Sequence, residues 1–223
     1  MTRTIPLSFG LLSLPRDVGG YPTGDGRQVA WGKLLLRTGE AGLTRAEARQ
    51  LDQHGITTHI ALCFSDDGVP FPPVDFHLSH ARSVAVFSAY PDLDSEGLRP
   101  ISLIETEKTV IKHLIMAITD APEGTILISG HHGEYLEWLS VMVLGLLGVV
   151  DHALIEHTAL NEVALVRIQS GHDEHRMINH VWDHAASALR SLRHEYHSFE
   201  AYAKVVGLSH LDLVRLKNRL LED

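Results

Sequence analysis

Two continuous apolar runs stand out along the chain. Ile56 to Phe64, reading ITTHIALCF, combines β-branched residues with an unbroken apolar stretch ahead of the turn signal SDDG, which predicts a buried strand. TILIS, Thr125 to Ser129, repeats that signature after the turn APEG. Elsewhere the apolar residues recur in helical steps. In ISLIETEKTVIKHLIMAITD, residues Ile104, Val110, Ile111, Leu114, Ile115 and Ile118 share one face and predict a single helix over Ile101 to Asp120. Thr44 and Glu47 read as a capping box and Gly55 as a stop, bracketing a helix of about ten residues. LSVMVLGLLGVV reads as a buried core helix. Beyond it the helical pattern covers Asp151 to Val166, Met177 to Leu192, Phe199 to Val206 and Ser209 to Leu221, with a polar bend at SGHDEH and Gly207 between the last two helices.

Turn formers punctuate this pattern in two places. Gly19, Gly20, Pro22, Gly24 and Gly26 separate short β-prone pieces, Gln28 to Trp31 and Leu34 to Arg37, and predict a small hairpin region. Residues 66–100 carry prolines at 70, 72, 73, 91 and 100, which predicts a long loop region interrupted by the short strand SVAVFSA. Helices alternating with buried strands imply an α/β fold with a central, mostly parallel sheet flanked by helices and a helical C-terminal part. The expected organisation is one domain over residues 1–223.

Composition narrows the classes of partner. The 223 residues are 44% hydrophobic and 21% charged, enough for one sizeable core. The formal charge of −9, with no concentrated basic stretch, argues against nucleic acid and anionic membranes as partners. The apolar run Leu139 to Val150 is too short for a membrane span. A lone cysteine, Cys63, excludes an internal disulfide, reads as a buried structural thiol, and fits a cytoplasmic setting. No signal peptide is read in the first residues, because proline and glycine interrupt their apolar run. No cofactor motif is found.

The segment that carries the chemical question is SGHHGEYLEW, Ser129 to Trp138, which leaves the second buried strand and enters a helix at once. Such a junction can cradle an anion, because loop and helix N–H groups converge on one point. Its surroundings make it specific. LPRDVGGY, WGKLLLRTGEAGLT, TILIS, GLLGV and the closing EYHSFEAYAKVVGLSHLDLVRLKNRLLED follow one another in the order and spacing of a bacterial tyrosine-phosphatase-like family, which the chain resembles over most of its length. Arg16, Asp17, Gly19, Gly20, Tyr21, Trp31, Gly32, Arg37, Gly39 and Thr44 match, as do Tyr202, Gly207, Leu208 and Leu216.

The resemblance implies a catalytic motif H-C-x-x-G-K-D-R-T-G, whose cysteine attacks phosphorus while its arginine clamps the phosphoryl oxygens. On this chain Ser129 stands for the histidine, Gly130 for the cysteine, Glu134 for the lysine, Tyr135 for the aspartate, Leu136 for the arginine and Glu137 for the threonine, and only Gly133 matches. Glycine carries no nucleophile, leucine no guanidinium, and glutamates repel a dianion. The residues therefore speak against cysteine-dependent phosphoryl transfer. The family's D-L-R after the first buried strand is also changed, to Ala61-Leu62-Cys63, and a displaced nucleophile at Cys63 lacks any surrounding motif.

What the altered segment offers instead is titratable. His131 or His132 as base with Glu134 as partner would suit acid–base chemistry on a small organic substrate, with Gly130 and Gly133 leaving N–H groups free and Tyr135, Glu137, Arg37 and Asp66 as candidate substrate contacts. The alternative is a catalytically inactive pseudophosphatase that binds a ligand or partner. A third reading takes the 16 histidines as metal ligands, with pairs such as His77/His80, His172/His175, His180/His184 and His194/His197 at helical spacing, although no third or fourth ligand can be named. Arg16 and Asp17 are expected to fix the hairpin onto the loop, Arg37 to bind a ligand or form an ion pair, Tyr135 and Trp138 to fill the space of the missing arginine, and Asp66 and Asp67 to face a ligand or cap a turn. A homodimer through the amphipathic C-terminal helices is left open.

Overall fold

The computed structural model describes residues 15–38, 45–66, 69–71, 81–88, 100–130, 133–158, 186–187 and 189–223. The elements run β1 (Arg16–Asp17), β2 (Gln28–Val29), β3 (Leu34–Thr38), α1 (Arg45–Gln53), β4 (Ile56–Asp66), β5 (Val69–Phe71), β6 (Arg82–Ser88), α2 (Pro100–Thr106), α3 (Lys108–Thr119), β7 (Thr125–Gly130) and α4 (Gly133–Leu147). Residues 151–158 (α5) and 189–196 (α6) are helical, and α7 (Phe199–Val206), α8 (His210–Leu220) and β8 (Leu221–Glu222) close the chain.

The central sheet has six strands, in the order β1, β3, β7, β4, β5, with β6 also on β4. β3, β7, β4 and β6 are parallel, while β1 and β5 run antiparallel to β3 and β4. Phe64 pairs with both Phe71 and Ser88, so β5 and β6 lie on opposite sides of β4. The fold is the α/β arrangement that the alternation of helices and buried strands predicts.

Alternate residues of the parallel strands divide the sheet into two unlike faces. Leu34, Leu36, Ile60, Leu62, Val86, Ile126 and Ile128 join one apolar cluster with Val110, Ile111 and Leu114 of α3, Leu139 and Val143 of α4, Phe199 and Tyr202 of α7 and Leu216 of α8. Burying each such side chain contributes on the order of 2 kcal/mol. The opposite face carries Arg37, His59, Ala61, Cys63 and Ser129, all buried.

The small hairpin region forms: β1 runs antiparallel to β3, Pro22 is bridged to Gln28, and across the same turn Gly20 N–H donates to the Val29 carbonyl and Val29 N–H to the Tyr21 carbonyl, while β2 in addition pairs with β8 at the end of the chain. Two other expectations are corrected. The helix expected over residues 101–120 breaks at Glu107, whose side chain turns inward to accept bonds from Ser88 and Tyr135. β5 lies within the stretch expected as loop. The capping residue Thr44 and the bend SGHDEH lie outside the described residues.

The RDVGGY segment takes its shape locally. Asp17 accepts N–H bonds from Gly19 at 2.9 Å and Gly32 at 2.7 Å, pinning two turns with one carboxylate. A side chain at Gly19 would put its Cβ 2.6 Å from the Trp31 Cα, so the close backbone approach there requires glycine.

Candidate functional site

The parallel strands β3 and β7 end side by side at Thr38 and Gly130, next to Leu62 of β4, which runs on to Asp66, and the C-terminal edge of such strands is where α/β sheets present ligands. In register there, Arg37 pairs with Ser129 and Ser129 with Ala61, so these residues form one row across the sheet. His59, two residues before Ala61, points to the same face, and its Nε2 is hydrogen-bonded to the Ser129 Oγ at 2.7 Å. The imidazole is fully buried, and that burial, reinforced by the Arg37 guanidinium, lowers its pKa to about 4. His59 is therefore neutral at pH 7.

Gly130 follows Ser129 and belongs to the other face. A Cβ added to it would lie 3.5 Å from Leu62 Cδ1 and 3.8 Å from Leu136 Cβ, so the space beside this backbone is walled by aliphatic carbon. α4 starts at Gly133, and its first turns are tied down on several sides. Arg16 Nη2 bridges both carboxylate oxygens of Glu137 at 2.9 Å, with the two side chains only 16% and 12% exposed. Tyr135 OH donates to Glu107 Oε2 at 2.6 Å, and the same oxygen accepts from Ser88 Oγ at 2.8 Å.

A second buried imidazole adjoins Glu137. Ser140 Oγ donates to the Glu137 carbonyl at 2.6 Å, which leaves its lone pairs for His157 Nε2, also at 2.6 Å. The His157 proton then sits on Nε2, and Nδ1 accepts from Tyr21 OH at 3.0 Å. Burial, with Arg16 adding to it, holds His157 well below the usual histidine range, and burial pushes the Tyr21 phenol up to about 12. Both shifts favour the uncharged imidazole and the uncharged phenol at neutral pH.

The structure brings together only part of the expected site. His131 and His132 lie outside the described residues, as does the side chain of Glu134; Gly130 and Gly133 bracket them. Tyr135 and Glu137, expected as ligand contacts, instead face inward: Tyr135 is 1% exposed and stacks near Trp138 with centroids 6.5 Å apart, and Glu137 is engaged by Arg16. Arg37 is buried beside His59 and Ser129. Asp66 is the last residue of β4, pairing with Val69, and its side chain, like all of Asp67, lies outside the described residues.

Cys63 is 1% exposed and burial raises its pKa, which disfavours the thiolate that a displaced nucleophile needs. Among the described residues no group of three His, Cys, Asp or Glu side chains could hold a metal ion. His194 and His197 are exposed, and the other histidine pairs named above lie outside the described residues. No described helix is long and apolar enough to cross a membrane.

The residues that sequence reasoning missed are His59, Ser129, Glu107, Ser140 and His157. A signal existed for His59, a single imidazole inside an apolar strand, because such a group must find a partner when buried. None existed for Glu107, whose inward turn depends on a helix break invisible to periodicity.

No curated protein matches the chain. A protein family does, over residues 15–222, a span that starts at the β1 segment with its Arg16 anchor and ends at β8. Since the match takes in the whole sheet, the junction between β7 and α4 and the closing helices, the chain belongs to the tyrosine phosphatase family.

Proposed function

We propose that this chain uses the tyrosine-phosphatase fold without cysteine-dependent phosphoryl transfer, and that the β7–α4 turn binds a small organic ligand. The observation that carries the proposal is the surroundings of Gly130. Where the family motif has its thiolate there is no side chain, and the adjoining space is bounded by Leu62 and Leu136. A dianion gains little from aliphatic walls, and the guanidinium that would offset its desolvation is absent. A phosphate group is thus a poor occupant, and a neutral or weakly charged one a better one.

The test is turnover of a generic aryl phosphate by the native chain. Absence of turnover is expected, and cysteine-dependent hydrolysis would sink the proposal.

Acid–base catalysis is the second reading, and the geometry narrows its cast. Because Tyr135 and Glu137 are engaged by Glu107 and Arg16, the titratable groups left to the turn are His131, His132 and Glu134. Once a substrate is found, replacing both histidines should abolish turnover and leave binding. Undiminished turnover would leave the pseudophosphatase reading alone.

A further inference from the structure

We infer that a cleft at the C-terminal end of α4 binds a small zwitterion, a free amino acid with an aliphatic side chain. The cleft has a volume of about 490 Å³ and lies where the turn between β1 and β2, the end of α4 and helices α5 to α8 meet. That volume falls within the range of small-molecule sites, roughly 300–1,000 Å³. α4 runs from Gly133 to Leu147, so at 1.5 Å per residue its two ends are about 20 Å apart. The cleft is thus separate from the β7–α4 turn, and nothing in its chemistry depends on how that turn is used.

The charged lining carries both signs. Arg193 donates from Nη2 and Nε to Asp151 at 2.6 and 3.3 Å, and its guanidinium carbon lies 5.2 Å from the Phe199 ring centroid. Its Nη1 has no acceptor among the described residues. Lys217 Nζ is 3.9 Å from Glu200 Oε1, beyond hydrogen-bond reach, and it too finds no acceptor among the described residues, although its side chain is only 25% exposed. Two cations with unused N–H donors suit a carboxylate. A phosphate dianion suits them less, because Asp25, Asp151 and Glu200 line the same cleft and α4 ends there with the negative pole of its dipole. Those carboxylates suit an ammonium group instead. A metal ion would not gather them, since among the described residues no three such side chains are placed to hold one. Gly145 and Gly148 leave room against the helix end, and Leu147, Val149 and Val150 offer aliphatic carbon. One carboxylate, one ammonium and an aliphatic group are the parts of an amino acid.

Titration of the full chain with L-leucine, followed by amide NMR shifts, tests this. Saturable shifts are expected at Gly24, Gly145 and Gly148, with none at Ser129 or Gly130. Isocaproate, which lacks the ammonium, and isoamylamine, which lacks the carboxylate, should each bind about tenfold more weakly, as expected for one lost charged hydrogen bond. Lys217→Met and, separately, Glu200→Gln should raise the Kd for leucine by a similar factor while leaving the amide shifts of β3, β4 and β7 as in the native chain. Absence of saturable shifts at the three glycines, tighter binding of inorganic phosphate or of either analogue than of leucine, or an unchanged Kd in both variants would overturn the inference. Hydrolysis of an aryl phosphate by the native chain would overturn the functional reading above without altering this pattern.

Discussion

At its N-terminal end α4 presents Tyr135, Glu137 and Ser140 to partners on three other parts of the chain, Glu107 between α2 and α3, Arg16 of β1 and His157 of α5. At its C-terminal end the contacts are of another kind. An added Cβ at Gly145 would lie 2.2 Å from ring carbons of Phe199, and Gly148 takes a φ of 91° as the chain leaves the helix. One end is oriented by directional bonds between buried polar groups, and the other is placed by close packing. The difference follows position in the fold. The polar end meets the C-terminal edge of the parallel strands, and the packed end meets α7.

Breaking the polar end should have the larger effect. Glu137→Ala leaves the Arg16 guanidinium mostly buried without its carboxylate and is expected to cost about 3 kcal/mol in denaturant unfolding. Replacing both residues together, Arg16→Met with Glu137→Leu, should cost less than either single change, because no charge is stranded. Singles that cost under about 1 kcal/mol would show that the pair is effectively solvated.

Acid should act on the strand that leads toward that end, through the partner of Ser129. The folded-state pKa of His59 is about 4, and it is 6.5 in an ordinary environment, so the unfolded chain takes up the proton first as pH falls. Stability is full above pH 6.5 and declines toward pH 4, by about 3 kcal/mol from this group at 1.36 kcal/mol per unit. His157, lowered for the same reason, works in the same direction. In His59→Gln the fall in stability between pH 6.5 and 4 should be visibly shallower. An unchanged acid limb would mean that His59 titrates normally.

At the packed end, Gly145→Ala forces the buried Phe199 ring to move and should cost about 2 kcal/mol, net of the better helix propensity of alanine. Phe199→Leu in the same chain should recover part of that cost. If Gly145→Ala proves stabilising, the ring has room that the structure does not show.

The two ends also differ in how far they could be read from the sequence. Gly207 and the Ser209–Asp212 capping box mark α7 and α8 directly, and both helices fall where the helical pattern puts them. TILIS and ITTHIALCF are strands because continuous β-branched apolar runs have few other outcomes. Local signals carry no information about pairing across the chain, which is why the turn formers mark the hairpin region while the pairing of β2 with β8 is not legible in them. The candidate site suffers most from this. Tyr135 and Glu137 are polar residues beside a glycine loop, and only the approach of Glu107 and Arg16, 28 and 121 residues away in sequence, turns them inward.

The smallest expected effect falls at Gly130, the last residue of β7. Gly130 does not have a positive φ, and an added Cβ meets its neighbours at ordinary contact distances of 3.5–3.8 Å, so Gly130→Cys should alter stability by no more than about 0.5 kcal/mol. Activity should be equally unmoved. The new thiol would sit against Leu62 and Leu136, an apolar setting that raises a thiol pKa as burial already does for Cys63. Without a thiolate the new side chain is a poor nucleophile, and Leu136 has no guanidinium to gather the phosphoryl oxygens as the arginine of the family motif would. Measured with an aryl phosphate, Gly130→Cys should remain at the level of the native chain. Cysteine-dependent turnover in this single variant would show that the backbone of the turn alone supplies enough phosphate binding for catalysis, and that one missing side chain, rather than the replaced surroundings, separates this chain from an active phosphatase.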